Sequence, residues 1–199
     1  MEISISDELN SIISFSREEA MRTGCYGIAP DHLYLGMLRH RENAGTDALR
    51  GLGIDLNEMK EFIDDKVFTN EHIPYSEIDS VTFSRGAQNV LSFTVLEATR
   101  VRSAQASSQH LLLALCREGN SYGSAYLHDL GTDYGHVYRY LDKNDMLDRN
   151  SIDRLSPVKD REEDNVEAME QEQPRKQTSP LEEFGYDLTR AAREGKLDP

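Results

Sequence analysis

The chain has 199 residues, with 22 Lys and Arg against 36 Asp and Glu, a formal charge of −14 at pH 7. That balance argues against sequence-independent binding to nucleic acid or anionic membrane, both of which need a cationic surface. No apolar run reaches the roughly 20 residues of a membrane span. The Met1–Ser4 start has no signal-peptide features, and Cys25 and Cys116 lie far apart outside any CxxC pattern, so free thiols and a cytoplasmic location are expected.

In chain order, a first helix is predicted from about Ser6 to Thr23, with Ser6 as N-cap and Leu9, Ile12, Ile13 and Ala20 on one stripe. A second begins near Pro30, a residue suited to the first helical position, and carries Leu33, Leu35, Met37 and Leu38. A short third helix ends at Gly53, placed for a left-handed C-cap. The fourth starts at Asp55, where Asp55 and Glu58 form a capping-box-like pair. Residues from about Asp65 to Thr82 connect this unit to a second one.

The second unit repeats the first at an offset of 78 positions, without a gap from Ser6/Ser84 to Asp64/Asp142. Phe15/Phe93, Glu19/Glu97, Arg22/Arg100, His32/His110, Arg39/Arg117 and Gly53/Gly131 all agree. The period is too long for a solenoid repeat of about 20–50 residues. β-branched alternation is nowhere sustained, so the expected fold is all-α: a duplicated four-helix repeat, eight helices with pseudo-twofold symmetry. The repeats span about 4–66 and 82–144 within a domain of residues 1–148, which carries most of the apolar side chains.

Apolar content collapses after Ser151, and residues 149–178 read as an acidic flexible linker. From residue 179 the pattern turns helical again. Ser179 caps, Pro180 takes the first position, and Leu181, Phe184, Leu188 and Ala191 form a stripe ending at Gly195. Such a stripe needs a partner surface: a module that follows in a longer parent chain, or the helical domain itself, reached through the linker.

No GxxxxGK[ST], HExxH, CxxC or GxSxG motif occurs, and none of the six histidines pairs with another at i+3 or i+4. No catalytic residue, metal ligand or cofactor is therefore expected in this chain. His32 and His110 precede apolar runs at helix starts. A structural imidazole bonding a backbone group is the favoured reading there, with a ligand or catalytic role as the alternative. Cys25 and Cys116 read as apolar filler. Tyr34, Tyr122 and Tyr126 read as partly buried core or as the lining of a groove for unfolded chains. The acidic surface either attracts basic proteins or simply keeps the domain soluble.

Phe15-Ser-Arg-Glu-Glu-Ala20, Asp31-His-Leu-Tyr-Leu-Gly-Met-Leu-Arg39, Leu49-Arg-Gly-Leu-Gly-Ile-Asp55 and Ser108-Gln-His-Leu-Leu-Leu-Ala-Leu-Cys-Arg117 resemble the N-terminal, double-repeat domain of Clp ATPases, ClpC above all. Residues 181–199 resemble the opening of a first AAA+ module, and the resemblance implies a chain truncated ahead of its nucleotide site. The resemblance implies a regulatory domain, non-catalytic in itself, that recruits protein substrates and adaptor proteins to an ATP-driven unfoldase. ATP and Mg would belong to the parent's AAA+ modules, as would the hexamer ring and a ClpP-type peptidase partner. The alternative is a stand-alone Clp N-like accessory protein with no ATPase of its own.

Some family members also bind phosphoarginine. They use a capping Thr and a Thr-Glu pair ahead of the motif His. Those positions fall here on Ser6, Pro30 and Asp31 in repeat one, and on Ser84, Ser108 and Gln109 in repeat two. Asp31 is a short carboxylate and Gln109 has no charge for a guanidinium, so weak or absent binding is expected, dominated by repeat one.

Overall fold

The computed structural model describes residues 3–40, 42–69 and 71–147, all within one compact unit, Met1–Pro157. The expected linker and the helix from Ser179 lie outside the described residues.

Among the described residues eight α-helices form, as two sets of four. In repeat one they are α1 (Asp7–Arg22), α2 (Pro30–His40), α3 (Ala44–Gly51) and α4 (Leu56–Val67). In repeat two they are α5 (Arg85–Arg100), α6 (Ser108–Glu118), α7 (Tyr122–Asp129) and α8 (Tyr134–Lys143). The caps follow the sequence. Ser6 Oγ accepts from Leu9 N at 3.1 Å and Ser84 Oγ from Ala87 N at 3.2 Å. Asp55 and Asp133 hold the first-turn amides of α4 and α8, at 2.8 Å to Asn57 N and 2.9 Å to His136 N. Gly53 and Gly131 adopt φ of 82° and 73° just past α3 and α7, a conformation a Cβ would strain.

α2 and α6 are the buried centre. Every residue from Pro30 to Leu38, and from Ser108 to Leu115, is buried. That explains why both read as unbroken apolar runs rather than stripes: they are covered on all sides. α1 packs along α2 and α5 along α6. At the first crossing Gly36 lets the backbones approach, since a Cβ there would sit 2.6 Å from Ile12 O.

The all-α fold holds, and among the described residues four strands of two residues each join its helices: β1 (Ser4–Ile5), β2 (Gly27–Ile28), β3 (Thr82–Phe83) and β4 (Gln105–Ala106). They pair in parallel, β1 with β4 and β2 with β3. Offset by 78, β1 is the counterpart of β3 and β2 of β4. Each repeat thus lends the strand ahead of its first helix to the strand after the other repeat's first helix. The symmetry reaches single bonds: Ser6 N donates to Ala106 O at 2.9 Å and Ser84 N to Ile28 O at 3.0 Å.

A second signature of the duplication is a buried carboxylate clamped by arginines. Glu19 Oε1 accepts from Arg39 Nη1 at 3.2 Å, and Glu97 Oε1 from Arg117 Nη1 at 2.9 Å. The same guanidiniums lie over Phe15 and Phe93, 4.8 and 5.0 Å from the ring centroids. Burying a carboxylate is tolerable only with such partners. This is the physical reason the Phe, Glu and Arg positions agree between the repeats.

Candidate functional site

By sequence, Ser6 groups with Pro30 and Asp31, and Ser84 with Ser108 and Gln109. The structure regroups them. Because the strands are exchanged, the capped start of α1 lies against the start of α6, and the start of α5 against the start of α2. Each of these two junctions draws on both repeats.

At the first junction, Ser6, Glu8, Ser107 and Gln109 line an open cleft of about 330 Å³. Glu8 Oε1 accepts from Ser108 N at 3.1 Å, placing a carboxylate at the positive end of α6. Ser108 Oγ is buried and accepts from Gly45 N at 3.1 Å, so it serves the start of α3. Gln109 is also buried.

At the second junction the same positions are filled by a coordinated set of replacements. Pro30 stands for Ser108 and has no amide hydrogen, so no acceptor is required; Gly86 stands for Glu8. A Cβ on Gly86 would lie 3.4 Å from Pro30 Cγ and 3.8 Å from Glu118 Oε1, which puts the Ser84 turn beside both. Asp31 stands for Gln109. It is only 6% exposed, and its Oδ1 accepts from Gly123 N at 2.9 Å at the start of α7. Burial raises its pKa above the usual carboxylate value, against the pull of the Gly123 and Tyr122 amides.

Sequence reasoning missed Glu8 and the exchange itself. A glutamate in the first turn of α1 looks like ordinary dipole pairing, and only the neighbouring helix start shows its second use.

His32 and His110 occupy equivalent places in the third helical position. His32 Nδ1 accepts from Ala29 N at 2.9 Å and His110 Nδ1 from Ser107 N at 3.1 Å, each closing the turn that opens its helix. His32 Nε2 lies 3.0 Å from Thr23 Oγ1, whose own hydrogen reaches Glu19 O at 2.9 Å. The ring is therefore neutral, with its proton on Nε2. Burial, with the Arg22 charge nearby, lowers its pKa to about 4.

Tyr34 does not line a groove. It is fully buried, with its hydroxyl 3.1 Å from Ser124 Oγ, and burial holds its pKa well above the ordinary value. Tyr126 packs on Phe62 at 5.2 Å between centroids, and Tyr122 is 47% exposed. Cys25 and Cys116 are half-buried free thiols, and burial pushes Cys116 up to about 12. Among the described residues, no group of three or more His, Cys, Asp or Glu is arranged to hold a metal ion, and no helix is long and apolar enough to cross a membrane.

The family model described as the Clp repeat (R) N-terminal domain matches residues 4–130. The chain belongs to that family. It is 24% identical over 194 residues to the chaperone protein ClpB of Oceanobacillus iheyensis, an alignment covering 98% of this chain and 22% of the relative. It is 27% identical over 188 residues to the chloroplastic chaperone protein ClpC of Pisum sativum, covering 94% of this chain and 19% of that one. The chain thus spans about a fifth of the length of the curated relatives it matches. The N-terminal domain of Hsp104 from Candida albicans shares its fold, with a TM-score of 0.60 at 13% identity over 73% of this chain and 94% of that domain.

Proposed function

We propose that residues 1–148 form the receiving domain of a Clp/Hsp100 unfoldase, one that recruits substrates and adaptor proteins and performs no chemistry itself. Residues 149–178 serve as its tether, and residues 179–199 open the first AAA+ module. ATP and Mg act in that module, which assembles the hexamer ring and engages a ClpP-type peptidase. The observation that carries this reading is the Clp repeat match over residues 4–130, in a chain whose likeness to ClpB covers 98% of its length.

The recruiting surface in this reading lies at the two junctions, where Ser6 with Gln109 and Ser84 with Pro30 mark the convergence of both repeats. Phosphoarginine is a poor ligand for it. Asp31 already holds an amide, and Gln109 offers a guanidinium no charge. The test is to delete residues 1–148 from the full-length parent and follow ATP-driven unfolding of a panel of substrates. Loss for adaptor-delivered substrates, with ATP hydrolysis retained, supports recruitment. Unchanged unfolding of every substrate refutes it. Calorimetry with free phosphoarginine should show weak binding or none, and two equivalent tight sites would overturn that part.

A further inference from the structure

The duplication supplies an internal comparison, because the same place in the fold can be inspected twice. In repeat two, the first residue of α8 is Tyr134. Its hydroxyl donates to Glu97 Oε2 at 2.9 Å and accepts from Arg100 Nη1 at 2.5 Å. The phenol thereby sits between the buried carboxylate and an arginine held 3.6 Å from it. Tyr138, one turn on, stacks beside it with centroids 6.2 Å apart, and Arg100 lies 5.1 Å over the Tyr138 ring. Burial, together with the bond to Glu97, pushes Tyr134 up to about 12, so the phenol keeps its proton.

In repeat one these two positions are Leu56 and Lys60, neither of them aromatic. The buried carboxylate and its two arginines are kept, but their spacing is not: with no phenol between them Arg22 closes directly on Glu19 Oε2 and also pairs with Asp64, whereas Arg100 stands 3.6 Å from Glu97. Glu19 is buried, Arg22 Nε donates to it at 2.7 Å, and Arg39 holds its other oxygen. The space is open: a cleft of about 760 Å³ is lined by Glu19, Arg22, Arg39, Ile54, Leu56 and Lys60, among others. That is within the range of a ligand pocket. Lys60 is drawn to one side by Asp64, at 2.5 Å.

We propose that the repeat-one cleft binds the phenol side chain of a tyrosine from a recruited polypeptide, in the place that Tyr134 fills in repeat two. The phenol donates to Glu19 and accepts from Arg22, while the aliphatic stems of Leu56 and Lys60 flank the ring. A carboxylate oxygen accepts more than one hydrogen bond, so Glu19 keeps Arg22 while taking the phenol. That the occupant belongs to a polypeptide rests on the recruitment reading above. The phenol chemistry does not, so the test uses this chain alone, without a ring or an adaptor.

The experiment is an amide NMR titration of the 199-residue chain with N-acetyltyrosinamide. Expected are shifts centred on Glu19, Arg22, Leu56 and Lys60, with N-acetylphenylalaninamide binding at least about threefold more weakly for want of the hydroxyl. Leu56→Tyr installs the repeat-two ring and should abolish the shifts. Tyr134→Leu opens the second cleft and should lower the melting temperature, with p-cresol restoring part of the loss. Three results overturn the proposal: no shifts in the wild type, the same shifts in folded Leu56→Tyr, or inorganic phosphate producing them at lower concentration, which would mark an anion site. Should Leu56→Tyr not fold, the Tyr134→Leu arm decides: failure of p-cresol to restore any stability refutes the chemistry.

Discussion

His32 gives this domain a pH dependence of definite sign. Its folded pKa is about 4 against an ordinary value of 6.5, so between those values the unfolded chain binds a proton that the folded chain refuses. The contribution is therefore complete above pH 6.5, declines as the pH falls towards 4, and is constant below that. At 1.36 kcal/mol per decade of proton affinity, the difference amounts to about 3 kcal/mol. The geometry supports the sign independently. Protonating Nδ1 would aim an N–H at the Ala29 N–H that it now accepts from.

The variant that isolates the effect is His32→Gln, because Gln in the third helical position can accept from Ala29 N and donate to Thr23 without titrating. Urea unfolding at pH 7 and at pH 4.5 should show the wild type losing about 2 kcal/mol more than the variant. Asp31 works in the opposite direction, since its raised pKa favours the folded state as the pH falls, but it contributes equally to both proteins. Parallel pH profiles for wild type and His32→Gln would refute the reasoning.

Three further perturbations test the packing. Gly123→Ala places a Cβ 2.4 Å from Tyr34 Cδ2, in a core with no room to yield, and should cost about 1–3 kcal/mol by thermal melting. Glu8→Ala removes the acceptor at the start of α6 and should cost about 1 kcal/mol, whereas Gly86→Ala, at the equivalent position of repeat two, should cost less because Pro30 needs no acceptor. Asp31→Asn keeps an oxygen for Gly123 N and removes a buried charge, so stability at pH 7 should hold or rise, while Asp31→Ala loses about 1–2 kcal/mol through the uncapped start of α7.

The helices, their caps and the identity of the two repeats were legible in the sequence because each depends on local chemistry. Ser6, Asp55 and Gly53 do the same work in any helix that starts or stops there. The exchange of strands was not legible. A fixed offset says which residues are equivalent, not which are adjacent, and a two-residue strand is too short to show alternation. The candidate site suffered most. Asp31 reads in the sequence as a short carboxylate grouped with Ser6, yet it is committed to an amide of α7 and lies at the junction marked by Ser84. The replacements Glu8/Gly86 and Ser108/Pro30 were visible as differences between the copies, but their coupling appears only when a missing N–H is matched to a missing acceptor.

The exchanged strands also bear on ancestry. Each repeat carries two short strands, one ahead of its first helix and one after it, and both pair with strands of the other repeat. A second copy satisfies both at once through a closed twofold arrangement, the symmetry by which identical chains most often associate. End-to-end joining of two such chains would leave the gap-free register that the sequence carries. The fused protein is then free to let its halves diverge, with Tyr134 closing one cleft while Leu56 leaves the other open.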